Sequence, residues 1–286
     1  KYAKMLAQAP LAVAVCSLTT GIKYLDFWPQ DCAAATENLL LAACLAEGTT
    51  IIENASVEPE VADLANLLNA MGARVYGAGT GIIQVEGVQK LHGAAYRVMP
   101  DRLEAGTYAI AAAITRGSVA IRGRVARYLG ALSSKLTEVG VSVAADKEVY
   151  HVRSTEKLSA VDIRTFPYPG FPTDLQAPIG ALLTQARGES SIHETMYDAR
   201  LLYVSELQKM GADIGVLAQT AVIKGPCSLR GSQVRALDIR SGAAVILATL
   251  VAEGISEISG VGLVDRGYDG IDIKLAALGA NIRRVD

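Results

Sequence analysis

Four charged residues carry most of the chemistry this chain could perform. Asp174 ends the segment Arg164-Thr165-Phe166-Pro167-Tyr168-Pro169-Gly170-Phe171-Pro172-Thr173-Asp174, whose three prolines in eleven residues exclude both helix and central strand. A rigid loop of this kind presents a side chain at a fixed place. Two roles are open to Asp174: an N-cap for the helix that follows, or a general base, which would need a desolvated cleft to raise its proton affinity. Arg200, Arg240 and Arg266 each follow an acid closely (Asp198, Asp238 and Asp265). Taken singly, such neighbours read as ion pairs of little consequence. Taken together, they sit at matching helix entries or exits. Three guanidiniums on one face would grip a ligand bearing phosphate and carboxylate through bidentate, charge-assisted bonds. Arg102, within Pro100–Thr107, reads either as part of a capped, charge-balanced crossing between domains or as one more arginine for that anion site.

The elements that must position these residues follow from a repeat. Met71-Gly72-Ala73, Val139-Gly140-Val141, Met210-Gly211-Ala212 and Leu278-Gly279-Ala280 recur at steps of 68, 71 and 68 residues. A second mark, a charged residue plus Gly, recurs at Glu47-Gly48, Arg116-Gly117, Arg187-Gly188 and Glu253-Gly254. Periodicity of this kind predicts a repeated α/β unit. Each copy holds an Ala-rich helix, a strand, a second helix and a helix-ending Gly. The first helix of unit one is expected at Thr36–Ala46, capped by a left-handed Gly48. Later helices are expected at Tyr108–Thr115, Leu129–Val139, Pro178–Ala186, Arg200–Met210, Gly242–Ala252 and Gly270–Leu278. From Ser241 to the end there are 46 residues, against about 70 in each earlier unit, and no closing β-hairpin is evident. Such a sheet would expose edges and apolar faces, so self-association through unfinished sheets is expected.

Composition narrows the function classes. The chain has 286 residues, half of them apolar and 5% aromatic, so its core must be Ala, Val, Leu and Ile, which suits packed α/β layers. A net charge of -2 supplies no global basic field for nucleic acid or membrane. Cys16, Cys32, Cys44 and Cys227 form no CxxC pair, and His92, His151 and His193 are scattered. A metal site and a disulfide framework are therefore not expected, and a reducing cytoplasm fits. Ala7–Val15 is apolar but contains Pro10 and lacks a small-x-small cleavage pattern, which argues against an export signal. No run approaches the roughly 20 apolar residues of a membrane span. The Gly-rich turn Gly77–Gly81 joins two strands, unlike a dinucleotide fingerprint, which joins a strand to a helix.

At four segments the chain resembles the bacterial UDP-N-acetylglucosamine 1-carboxyvinyltransferases: Ala46–Ala55, Pro100–Thr107, Tyr168–Asp174 and Asp265-Arg266-Gly267-Tyr268. The resemblance runs from about Gly21 to Asp286. It implies an inside-out α/β barrel built from βαβαββ units, with residues 1–99 an incomplete first domain of one unit and residues 100–286 a second domain of three. It implies transfer of the enolpyruvyl group of phosphoenolpyruvate to the 3′-hydroxyl of UDP-N-acetylglucosamine, with loss of phosphate and without a cofactor, in peptidoglycan synthesis. By motif it assigns Asp174 to the sugar hydroxyl and its proton, and the main chain of Met196 to the nucleotide sugar. It assigns Arg200 and Arg240 to the cleft and Arg266 to phosphoenolpyruvate.

Cys32-Ala33-Ala34 stands where the family shows a uridine-contacting Ser-Val-Gly, in a stretch about three residues longer. The family's first two units, with a Lys-Asn pair and a proton-donating cysteine loop, have no counterpart in these residues, so the chain by itself is expected to be inactive. A related 3-phosphoshikimate enzyme is the nearest alternative, and the Tyr168–Asp174 loop argues against it. A non-catalytic remnant that binds anions weakly is the alternative from another class.

Overall fold

The computed structural model describes residues 32–154 and 157–285, which fall into two compact units, Lys1–Met99 and Pro100–Asp286. In the first unit, α1 (Ala33–Ala43), β1 (Thr49–Glu53), α2 (Pro59–Ala70), β2 (Arg74–Tyr76) and β3 (Ile82–Glu86) follow in order, and the strands pair antiparallel as β1-β3-β2. The inward residues Ile52, Val75, Ile83 and Val85 meet Leu40, Val61, Ala65 and Leu68 of the helices. α1 starts and ends three residues earlier than the sequence pattern predicts. Gly48 therefore is not its cap; its φ of 86° instead turns the chain into β1.

The second unit carries the same plan further. It contains α3 (Arg102–Ile114), β4 (Ser118–Arg122), α4 (Gly130–Val139), β5 (Ser142–Ala145), β6 (Val149–Arg153) and β7 (Asp162–Arg164). Then come α5 (Gln176–Leu183), β8 (Gly188–His193), α6 (Tyr203–Lys209), β9 (Asp213–Leu217), β10 (Thr220–Gly225), β11 (Gln233–Arg235), α7 (Ile239–Thr249), β12 (Glu257–Ser259) and α8 (Ile271–Ala277). The order β4-β6-β5 repeats β1-β3-β2, and β7-β8-β10-β9 shows the whole βαβαββ unit, with β7 parallel to β8. β11 pairs only with β12, in parallel, so this last sheet has two strands among the described residues. Beside it opens a cleft of about 1560 Å³, lined by Ile258, Ile271, Leu275 and Ile282 and rimmed by Arg235 and Lys209.

Helices lie inside and sheets outside. All eight residues of α5 are buried, and α3 and α7 are nearly so, whereas strand burial alternates. Only small side chains let three helices share one core, and α3, α5 and α7 each carry a glycine where a neighbour presses in. A β-carbon at Gly180 would stand 2.6 Å from the Tyr203 hydroxyl oxygen, and one at Gly106 would stand 2.6 Å from Leu175 Cδ1. The periodic glycines have a conformational cause. Gly72, Gly140, Gly211 and Gly279 all have φ between 95° and 103°, the left-handed region that ends each second helix.

Candidate active site at the α5 and α7 N-termini

The proline-rich segment leaves β7 and folds back on itself. Thr165 and Phe171 form an isolated bridge, and Phe166 N donates to Phe171 O at 2.9 Å. The segment ends in a 3-10 turn, Thr173–Leu175, that runs into α5. Pro178 falls in the first turn of α5, where the missing N–H has no intrahelical partner to lose.

Asp174 does not cap α5; the residue at that position is Leu175, without a side-chain cap bond. Its carboxylate instead accepts two arginine donors on one oxygen. Arg200 Nη1 donates to Asp174 Oδ1 at 3.0 Å, and Arg240 Nε donates to the same oxygen. Arg200 comes from the loop after β8 and Arg240 from the first turn of α7, so residues far apart in sequence converge at the ends of the central helices. The Arg200 side chain is 16% exposed and that of Arg240 28%, so the pair is shielded on the arginine side and open on the carboxylate side.

The sequence pattern starts a helix at Arg200, but α6 begins at Tyr203. Arg200 sits in the preceding turn, after Ala199 with φ 58°. Its guanidinium lies over the Tyr197 ring, 4.3 Å from the centroid.

The acids nearest the arginines in sequence have different tasks. Asp238 is the N-cap of α7, accepts Ser241 N at 2.7 Å in a capping box, and takes Arg240 Nη1 at 3.3 Å. Partial burial pushes its pKa up, but the Ser241 N–H and Arg240 outweigh burial and hold it below the ordinary carboxylate range. Asp198 accepts Gln219 Nε2 at 2.6 Å, not Arg200. Asp265 pairs with Arg284 at 2.7 Å, not with Arg266. Burial tends to lower the proton affinity of Arg240, yet Asp174 and then Asp238 hold it above its usual range. Arg240 is therefore a permanent cation shared between two carboxylates.

Other predicted residues are placed more loosely. Arg266 is exposed at the end of a 3-10 turn and takes part in no ion pair among the described residues. Two residues on, Tyr268 is buried and shares a 2.8 Å hydrogen bond with Thr107. Burial pushes its phenol up to about 12, against the Thr107 hydrogen bond and helped by the charges of Asp101, Asp174 and Glu104. Arg102 is buried, with its guanidinium over the Tyr168 ring at 5.6 Å, which supports the proline-rich segment from below. Asp101 caps α3 by accepting Leu103 N and Glu104 N at 2.8 and 2.9 Å.

Met196 N donates to Glu194 Oε1 at 2.8 Å. Cys32, Ala33 and Ala34 lie in the first unit. Cys32 precedes α1, and Ala33 and Ala34 already belong to it, so two of the three are helical. Cys16 and the stretch Ala7–Val15 lie outside the described residues. Among the described residues no group of His, Cys, Asp and Glu could hold a metal ion, and no helix is long and apolar enough to cross a membrane.

The sequence reading passed over Glu194. It is 1% exposed and accepts Thr165 Oγ1, Thr173 Oγ1 and Met196 N. The available signal was a Glu directly after a strand, followed by Thr195.

Buried helices within outer sheets, with an acid and two arginines at the helix N-termini, define a class. The family described as EPSP synthase (3-phosphoshikimate 1-carboxyvinyltransferase) matches residues 3–275, and the chain belongs to that family. It is 50% identical over 262 residues to a UDP-N-acetylglucosamine 1-carboxyvinyltransferase of Halothermothrix orenii, covering 92% of this chain and 62% of that protein. It is 49% identical over 266 residues to UDP-N-acetylglucosamine 1-carboxyvinyltransferase 1 of Caldanaerobacter subterraneus, covering 93% and 63%. The crystal structure of the enolpyruvyl transferase NikO from Streptomyces tendae superposes with a TM-score of 0.81 at 25% identity, over 88% of this chain and 60% of that one. An EPSP synthase from Acinetobacter baumannii shares the fold at a TM-score of 0.70 and 21% identity, over 93% and 64%. The chain thus spans about three fifths of the length of the curated relatives it matches.

Proposed function

We propose that this chain serves transfer of the enolpyruvyl group from phosphoenolpyruvate to the 3′-hydroxyl of UDP-N-acetylglucosamine, in the cytoplasm, as a step of peptidoglycan synthesis. The observation that carries this reading is the convergence of Arg200 and Arg240 on one oxygen of Asp174. That leaves Oδ2 free of both arginines to accept the proton of an attacking hydroxyl. A carboxylate can take that proton as the oxygen–carbon bond forms at C2 of the enolpyruvyl group. Arg240, and Arg266 once it turns inward, would balance the carboxylate and the departing phosphate of the donor through charge-assisted bonds. The main chain of Met196, its N–H held by Glu194, would touch the nucleotide sugar. Arg102 contributes by holding Tyr168 and so the segment that ends in Asp174. In this reading Cys32, Ala33 and Ala34 belong to the nucleotide end of the substrate, and no cofactor takes part.

The relatives named for the nucleotide sugar are about half identical to this chain, whereas the 3-phosphoshikimate enzyme structure is 21% identical, which favours the former substrate. Calorimetric titration of the chain with UDP-N-acetylglucosamine, and separately with shikimate 3-phosphate, tests the choice. Saturable binding of the nucleotide sugar that is lost in Asp174→Ala is expected. Binding of shikimate 3-phosphate alone would overturn it.

The two-stranded β11-β12 sheet and exposed apolar residues such as Ile255 and Ile273, 88% and 72% exposed, further support self-association. Light scattering during gel filtration tests this; a monomer at every concentration would refute it.

A further inference from the structure

Glu194 is a buried carboxylate that the proposed reaction leaves idle. All three of its partners donate: Thr165 Oγ1 at 2.9 Å and Met196 N at 2.8 Å to Oε1, and Thr173 Oγ1 at 2.8 Å to Oε2. Three donors match the two acceptor oxygens of a carboxylate, and the low dielectric strengthens each bond. Thr165 closes the network, because its Oγ1 accepts Thr195 N at 2.9 Å and its carbonyl accepts Thr195 Oγ1 at 2.6 Å.

The three donors are placed tellingly. Thr165 lies at the start of the proline-rich segment and Thr173 near its end, one residue before Asp174. Met196 opens the loop after β8, one residue before Tyr197, whose ring carries the Arg200 guanidinium. One carboxylate therefore holds the chain on both sides of the Asp174–Arg200 pair. We propose that Glu194 is a positioning residue: it sets the distance between the loop that presents Asp174 and the loop that presents Arg200, and so keeps the acid and the guanidinium in register. The first loop has only the single 3-10 turn Thr173–Leu175 at that point, and the second, from Glu194 to Leu202, has neither helix nor strand. The role rests on the proposed function only where nucleotide-sugar affinity is concerned; the Asp174–Arg200 geometry is independent of it.

Glu194→Ala strips a buried hub and could simply unfold the chain. Thr173→Val is milder. It keeps the shape, leaves Glu194 two of its donors, and cuts the tie nearest Asp174. Thr173→Ser restores the hydroxyl. Two readouts apply to each variant: hydrogen exchange at the Arg200 and Arg240 side-chain N–H groups by ¹⁵N NMR, and UDP-N-acetylglucosamine affinity by calorimetry. In Thr173→Val, exchange at Arg200 should quicken and affinity should fall, each about tenfold, the scale of one lost hydrogen bond to a charged group. Thr173→Ser should match the unaltered chain. Val and Ser variants that both match the unaltered chain would overturn the proposal, as would two equally impaired ones, since the hydroxyl would then not be the cause. If the unaltered chain binds no nucleotide sugar, the functional reading falls, and the exchange measurement still decides the role of Glu194.

Discussion

Asp174 and Arg200, 26 residues apart, share a charged hydrogen bond of 3.0 Å while Asp198, two residues from Arg200, turns away to Gln219. The arginine is thus held for a site and not for its sequence neighbour. Arg240 behaves differently: it keeps its neighbour Asp238 at 3.3 Å and still reaches Asp174. With two guanidiniums on one carboxylate oxygen, Asp174 is the anion that both arginines share, and Asp238 offsets Arg240 from its own side.

That sharing predicts the behaviour of Asp174→Asn. The amide removes the anion common to the two arginines and leaves only Asp238, on Arg240, in its place. Inorganic phosphate should bind the variant about fivefold to tenfold more tightly than the unaltered chain at low salt, with the gain fading as salt screens it. Titration of phosphate at two ionic strengths checks this. Equal affinities in both proteins would show that the arginines are not freed.

Core packing predicts a coupled pair. Gly180→Ala places a methyl against the Tyr203 ring and hydroxyl, at a cost of about 1–3 kcal/mol despite the better helix propensity of Ala. The Tyr203 hydroxyl is buried without a partner among the described residues, so Tyr203→Phe alone should be near neutral or stabilising. In the double variant the penalty should shrink, because the closest contact is the oxygen that Phe lacks. Urea denaturation of the four proteins gives the coupling directly.

Tyr268 predicts a sensitivity to alkali. Its pKa is raised from 10 to about 12 on folding, so its contribution is fully present below pH 10 and is lost as pH rises through about 12. A rise from 10 to about 12 corresponds to about 3 kcal/mol at most. Burial also raises Tyr108 and Tyr203, so all three act in the same direction. Melting temperature should fall steeply above pH 10, in step with tyrosine absorbance at about 295 nm, and Tyr268→Phe should flatten part of the fall. A melt independent of pH up to 12 would contradict this.

Asp238 predicts the acid limb. Its folded pKa lies below the ordinary value of 3.8, so its contribution holds above pH 3.8 and disappears as pH drops through the lower folded value. Asp238→Ala removes the α7 cap and should cost about 1 kcal/mol. It should also remove one of the two anions that offset Arg240, seen as a higher phosphate affinity at low salt. Asp238→Asn retains the cap and should recover most of the stability while keeping the higher affinity.

The sequence by itself determined the repeat, and with it most of the elements. Left-handed glycines at 72, 140, 211 and 279 are local requirements, so their spacing is visible without a structure. The turn Gly77–Gly81 joins two strands, β2 and β3, as its glycines require, because turn patterning is local too. Helix starts were less legible. α1 begins at Ala33 and α6 at Tyr203 because packing, not propensity, decides where a short Ala-rich or mixed segment enters its helix.

Of the site, the residue types and their proximity to helix ends could be read, since loops at unit junctions must meet when units stack. Tertiary structure decided the rest. By spacing Asp174 read first as a cap and second as a base, and only the approach of Arg200 and Arg240 across 26 and 66 residues shows that its carboxylate faces them. Glu194 escaped notice because its meaning lies in Thr165 and Thr173, about 20 to 30 residues upstream, brought to it by the parallel pairing of β7 with β8. Sequence spacing specifies elements through local conformational energy; which charges share a pocket depends on long-range contacts that exist only once the helices are buried.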